Sequence, residues 1–260
     1  MKAVAAFLLV LCYLAASHAW TCKEPPSLYG AVQIDAGQGK VVARDRNYYA
    51  YFLSGTTWQR LGSYRALKHV SVGPAGIWAV DTSNRVHKYV AGNFKLSSGG
   101  YMQQVDAGGD GQVVGVNNNY YAYCLRSTYA SVYRGSGSLR WSSLGRIMRY
   151  YSCSPLNGCW GVDTSNRIYF TQRITPTTCS ISGWVRVSGS AKMVEVGTDG
   201  NVFMLGVDGR VYQRAGISSS RPYGTSWTRI NLCLPILHVS YDLGNLWVVT
   251  TGGSLMQCTH

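Results

Sequence analysis

The chain has 260 residues and a formal net charge of +13, with 46% hydrophobic and only 13% charged residues. That is ample for a core, and the charged share is about half the usual one. Beyond the N-terminus no stretch reaches the roughly 18 apolar residues a spanning helix needs. The positive charges are scattered, with no block of five or more. They suit solubility in a charge-poor chain, or an anionic partner such as a phosphorylated glycolipid or acidic glycan.

Residues 1–19 read as a secretory leader. Lys2 is the positive start, Val4 to Ala16 the apolar run, and Ser17-His18-Ala19 a small-x-small cleavage site. Secretion argues against nucleic acid as a target and against membrane insertion. It also places the cysteines in an oxidising compartment. Cys12 leaves with the leader, and seven cysteines remain: 22, 124, 153, 159, 179, 233 and 258. Seven is odd, so pairing within the mature chain cannot use them all.

Short strands and turns follow one another from residue 20 onward. A first strand recurs with its central apolar residue at Ile34, Val70, Val105, Tyr151, Val194 and Val239. A glycine- or serine-rich turn follows it, as at Gly73-Pro74-Ala75-Gly76. A second strand comes next, as at Ile77 to Val80, then a polar turn and a third strand, as at Arg85 to Val90. The pentapeptide Asp81-Thr82-Ser83-Asn84-Arg85 returns unchanged as Asp163 to Arg167. Such text marks a repeat protein. A fourth element opens on Trp58, Phe94, Trp141, Trp184 and Trp227, and its sixth aromatic is Trp20. The chain thus reads as six three-strand units whose last fourth strand is lent by the N-terminus.

Radial sheets need a neighbour on each side, so a ring of six must close or expose its edges. Cys22 on the lent strand and Cys258 on the last third strand would then be adjacent, which predicts a disulfide locking the ring. Cys153 and Cys159 flank one turn and could bridge a hairpin. Cys124 could meet Cys179 in the long loop that follows. These pairings do not use Cys233. Long connections fall at 126–140, 172–183 and 215–226, no linker divides residues 20–260, and no helical periodicity of useful length appears.

The text W-x-x-[VL]-x-G through V-x-[AV]-G-x-[DA]-G-x-[VI]-W-[GA]-V-[ND] resembles the tectonin repeat. Matching stretches include Trp58 to Gly62, Val105 to Gly111 and Trp160 to Asp163. The resemblance covers the whole mature chain and extends to tectonin-repeat lectins similar to horseshoe-crab tachylectin. It implies an all-β, six-bladed β-propeller of four-stranded blades. The implied activity is binding of N-acetylglucosamine or galactose-type sugars and bacterial lipopolysaccharide, in innate defence of an egg or mucus.

A sugar site needs an aromatic face and fixed polar groups. Trp78, Tyr120, Trp160 and Tyr169 could supply the first, and Asp81, Asn84, Arg85, Asp163, Asn166 and Arg167 the second. The competing role of the Asp and Ser-Asn residues is to build hairpin turns by bonding their own backbone, and that of the tryptophans is core packing. Asp106 to Gly111 is similar to part of a calcium loop but lacks the further ligands, so no cofactor is expected. His69 and His238 share a repeat position, which argues for architecture. A secreted lectin without enzymatic activity is therefore expected. The alternative is a structural or protein-interaction propeller of an egg coat or mucus; a propeller glycosidase, which needs two placed carboxylates, is the less favoured third.

Overall fold

The computed structural model describes residues 20–62, 66–135 and 137–260, so the leader expected at 1–19 lies outside the described residues. The N-terminal strand β1 (Thr21–Lys23) is followed by one complete four-stranded sheet: β2 (Ala31–Gly37), β3 (Lys40–Asp45), β4 (Ala50–Ser54) and β5 (Thr57–Arg60). A seven-stranded sheet holds β6 (Leu67–Gly73), β7 (Gly76–Asp81), β8 (Arg85–Val90), β9 (Asn93–Asp106), β10 (Val113–Asn117), β11 (Tyr121–Leu125) and β12 (Trp141–Ile147). A second seven-stranded sheet holds β13 (Tyr150–Cys153), β14 (Cys159–Val162), β15 (Arg167–Thr171), β16 (Val185–Val196), β17 (Val202–Gly206), β18 (Val211–Ala215) and β19 (Ser226–Ile230). The last sheet, β20 (Ile236–Asp242), β21 (Asn245–Thr250) and β22 (Leu255–Thr259), takes β1 as its fourth strand.

The seven-stranded sheets arise because two fourth strands run without a break into the next first strand. Residues 93–96 of β9 pair with β8, and residues 102–106 pair with β10. In β16, residues 185–187 pair with β15 and 191–196 with β17. The strands stay continuous through Gly99-Gly100 and Gly189, where Gly99 and Gly189 have φ of 104° and 115°. Each repeat unit thus has three strands of its own and a fourth that is separate (β5, β12, β19), continuous with the next first strand (β9, β16) or supplied by the N-terminus (β1).

The hydrophobic cores lie between consecutive units, and an aromatic residue at or beside each fourth strand joins one of them. Phe94 packs between the first and second units with Val42, Val70 and Ala79. Trp141, Trp184 and Trp227 join the next three cores. Trp20 meets Phe203 and Tyr241 edge-on at 5.5 and 6.3 Å, between the fifth and sixth units. Trp58 joins a core in which Ile34 and Ala43 of the first unit meet Trp247 and Val249 of the last. The first strands also pack side by side in chain order, and β20 packs against β2.

Three disulfides join described residues: Cys22–Cys258, Cys124–Cys179 and Cys153–Cys159. Cys22 and Cys258 sit directly opposite each other in the β1–β22 ladder, 236 residues apart in the chain. Cys233, which those pairings do not use, is disulfide-bonded as well, so it is not a free thiol. The connection at 126–140 carries a short helix, α1 (Ser127–Val132), too brief for its periodicity to stand out. Lys88 extends beneath it and donates to the Ala130 carbonyl at its C-terminal end. Among the described residues no helix is long and apolar enough to cross a membrane.

Candidate functional site

The turns between second and third strands share one construction in four units. The side-chain oxygen of the first residue accepts the backbone N–H groups two and four residues on. For Asp81 these are Ser83 and Arg85 at 3.0 and 2.9 Å, and for Asp163, Ser165 and Arg167 at 2.9 Å each. Asp45 and Asn117 do the same in their turns. The residue three on then takes a left-handed conformation: Tyr48, Asn84, Tyr120 and Asn166 have φ between 64° and 66°. That orientation aims its carbonyl at the next unit, where it accepts from Leu67, Met102, Met148 and Ala191 respectively, at 2.6–3.0 Å. Asparagine tolerates this conformation by nature. Tyr48 and Tyr120 adopt it because the inter-unit bond fixes it. Asp81, Asn84, Asp163, Asn166 and Tyr120 are thus joints between sheets, and the repetition of DTSNR has an architectural cause.

The turns nevertheless present chemistry outward. Arg85 donates its Nε–H to Asp81 at 2.8 Å and Arg167 to Asp163 at 2.6 Å, with both arginine side chains about half exposed. Burial works to raise the Asp81 carboxyl, but hydrogen bonds from His87 and Arg85 outweigh it and hold it below the usual value. Hydrogen bonding to Asp163, and its charge, raise Arg167 further. Tyr120 is exposed. Tyr169 is buried, and the Arg146 guanidinium lies 3.6 Å over its ring, a cation–π contact between units. Trp78 and Trp160 are fully buried. The Trp78 Nε1–H donates to the Ala75 carbonyl, and the Trp160 ring packs on Phe170 and Trp227. Both lie in the cores between units and offer no open face.

The structure does not gather these residues into one pocket. Asn84 and Arg85 form one group and Asn166 and Arg167 another, in separate sheets. Near the first, Tyr101 pairs across from Arg85 and is 62% exposed. Gln103 reaches from the same strand to the Asn118 carbonyl, in the turn that holds Tyr120. Sequence reasoning missed Tyr101 because it sits in a connection; its signal was an aromatic after Gly99-Gly100, where glycines allow the strand to bend.

A second cluster lies on the axis around which the first strands pack. One strand position reads Asp35, Ser71, Asp106, Ser152, Glu195 and Ser240 through the six units. Asp35, Asp106 and Glu195 converge, with carboxylate oxygens all within 4.8 Å of one another. The same side chains hold the next unit. Val72 N–H donates to Asp35 at 2.6 Å, Cys153 N–H to Asp106 at 3.0 Å, Ala107 N–H to Ser71 and Ala36 N–H to Ser240, both at 2.9 Å. Burial raises all three carboxyls, Asp106 to about 7; for Asp35 and Glu195 the other acids add to the effect. Such oxygens could hold one hard cation or share protons. This is not the calcium-loop arrangement: Asp106 points to the axis while Asp110 is exposed on the surface.

Comparison with known proteins agrees with this architecture. A tectonin domain model matches residues 30–251. The fish-egg lectin of Cyprinus carpio is 39% identical over 157 residues, 60% of this chain and 65% of that protein. A tectonin β-propeller repeat-containing protein of Drosophila melanogaster is 29% identical over 92 residues, 32% of this chain and 7% of that protein. Among solved structures, virginiamycin B lyase from Staphylococcus aureus superposes with a TM-score of 0.59 at 11% identity, over 93% of this chain and 99% of that one. YCF48 bound to D1 peptide gives 0.52 at 14% identity, over 93% and 81%. At those identities the likeness is one of fold, an all-β, propeller-like fold. With the family match spanning most of its length, the chain belongs to the tectonin domain family.

Proposed function

We propose that this chain is a secreted lectin: a leader at residues 1–19, then a single closed six-bladed β-propeller over 20–260, with β1 completing the last blade. It binds N-acetylglucosamine or galactose-type sugars and bacterial lipopolysaccharide, and serves innate defence in an egg or mucus. Binding takes place without turnover at the turn face, where Arg85 with Tyr101 and Tyr120 forms one station and Arg167 with Asn166 and the Arg146–Tyr169 stack another. The similarity to the carp lectin supports the class of activity.

The observation that carries the ligand chemistry is the fate of the acids. Of 11 Asp and Glu residues, Asp35, Asp45, Asp81, Asp106, Asp163, Glu195 and Asp242 are buried. The surface is therefore more cationic than the net charge suggests, and the turn carboxylates are saturated by their own turns. What faces outward is arginine, asparagine and tyrosine, groups suited to hydroxyls, C–H faces and phosphates. Similar weak stations on one rigid ring gain avidity on a surface that repeats its glycans.

Soaking crystals with N-acetylglucosamine, alongside a glycan array and lipopolysaccharide binding, tests this. Density at the two stations and saturable binding are expected. Glycan cleavage that disappears in an Asp81→Asn, Asp163→Asn double variant would replace it with a glycosidase. Blank arrays with a co-purifying secreted partner would replace it with an interaction role.

A further inference from the structure

Next to the carboxylate layer, toward the turn face, the axis is lined by nitrogen. His69 on β6 and His238 on β20 occupy the same strand position, two residues before Ser71 and Ser240. Both rings stand edge-on to Tyr150, with centroids 6.0 and 6.2 Å away. Among the described residues, neither ring nitrogen of buried His69 has a hydrogen-bond partner, nor has His238 Nδ1 or Arg44 Nε. Arg44 lies opposite Gln33 in the β2–β3 ladder and spends Nη1 on the Asp45 carbonyl. Leaving such groups buried and unsatisfied costs about 1–3 kcal/mol each, so a ligand that accepts several N–H bonds would be held strongly.

The charges around the imidazoles select its sign. His69 lies beside Tyr150 of β13, and the charges of His238 from β20, Arg44 from β3 and Lys68, whose ammonium donates to Asn84 Oδ1 in the turn, all act on it. Glu195 meets this group through the Tyr150 hydroxyl. Two imidazoles alone would suit a transition metal, but the adjoining Arg44 and Lys68 charges oppose a cation. We propose that Arg44, His69 and His238 form a binding site for a small oxyanion, a phosphate, sulfate or carboxylate, at the turn-side end of the axis. The site stands apart from the sugar stations and does not depend on them.

Burial, then His238, Arg44 and Lys68, keep His69 far below its usual pKa, and burial with Arg44 brings His238 to about 3. An anion offsets those costs, so its binding takes up protons and tightens as pH falls. Each proton taken up changes Kd by up to about tenfold per pH unit.

The test titrates the whole mature protein with sulfate at constant ionic strength, following the His69 and His238 imidazole resonances at pH 5 and 7. Saturable shifts, tighter at pH 5 by between about tenfold and about a hundredfold for one proton taken up, are expected. Arg44→Gln should abolish them, Arg44→Lys should weaken them, and Arg140→Gln on the outer surface should leave them unchanged. Undisturbed resonances elsewhere show that each variant is folded. Competition by inorganic phosphate or by N-acetylglucosamine 6-phosphate supports the site and separates a free ion from a glycan-borne group. The proposal is overturned if sulfate gives no saturable shift at either pH, if Arg44→Gln responds like the parent, or if neutral N-acetylglucosamine moves these resonances while sulfate does not.

Discussion

The Asp81 carboxylate is shared by Arg85, whose Nε–H donates to it at 2.8 Å, and by buried His87, whose Nε2 lies 2.9 Å away. It also fixes the turn backbone. Removing it strips four contacts and leaves His87 buried, so Asp81→Ala should cost about 2–4 kcal/mol in urea unfolding. Arg85 is half exposed, and Arg85→Ala should cost less than about 1 kcal/mol while weakening glycan binding. Equal stability losses from the two variants would contradict the saturated-turn account.

Asp81 also sets an acid limit. Its folded pKa is lowered, so its contribution is complete above the ordinary carboxylate range and is lost as pH falls through the folded value. Unfolding midpoints should drop below about pH 4, and Asp81→Asn should lack that part of the decline.

The axial carboxyls act in the opposite sense. Asp35, Asp106 and Glu195 are raised, Asp106 to about 7. Between the unfolded pKa and the folded one the native state holds more protons, so each costs stability as pH rises through that window. In the presence of a chelator the melting temperature should fall from pH 5 to pH 8. A divalent cation added at pH 8 should restore it, because ionised oxygens within 4.8 Å repel one another until a cation neutralises them. Asp106→Asn should flatten the chelated pH profile and reduce the cation effect.

Cys22–Cys258 closes a loop with a separation of 236 residues. By loop entropy the bond contributes about 5 kcal/mol; because β1 is only three residues long, its pairing with β22 depends on that tether. The Cys22→Ser, Cys258→Ser double variant should unfold at distinctly lower denaturant and exchange the amides of β22 faster. Cys153–Cys159 spans a separation of only 6, and its loss should cost much less.

The repeat was legible because tight turns and buried strands use a narrow residue choice: DTSNR twice, a fourth-element aromatic in every unit, and the Cys22 and Cys258 positions. The site was legible only in part. Asp81 and Asp163 stood out for chemistry, yet their conspicuous spacing comes from capping a turn and bonding the next sheet. Trp78 and Trp160 looked like sugar platforms, but a tryptophan in a second strand lies between two sheets. The axial triad escaped notice because its members are some 70–90 residues apart and alternate with serines; only the column of first-strand positions brings them together.

Close packing of the first strands makes a final test. Gly73 has ordinary backbone angles, but a Cβ there would lie 2.1 Å from the Ala107 carbonyl oxygen of the next unit, and one at Gly37 would lie 2.3 Å from the Val72 oxygen. Both contacts are backbone, so neither neighbour can yield without moving a strand. Gly73→Ala should destabilise by about 1–3 kcal/mol or more, although alanine suits an extended strand better than glycine does. Gly55 and Gly92 have open space at the same position but positive φ, so Gly55→Ala should cost only about 1–2 kcal/mol. Denaturant melts of the two variants separate inter-sheet crowding from backbone strain, and a neutral Gly73→Ala would mean the first strands do not pack this tightly.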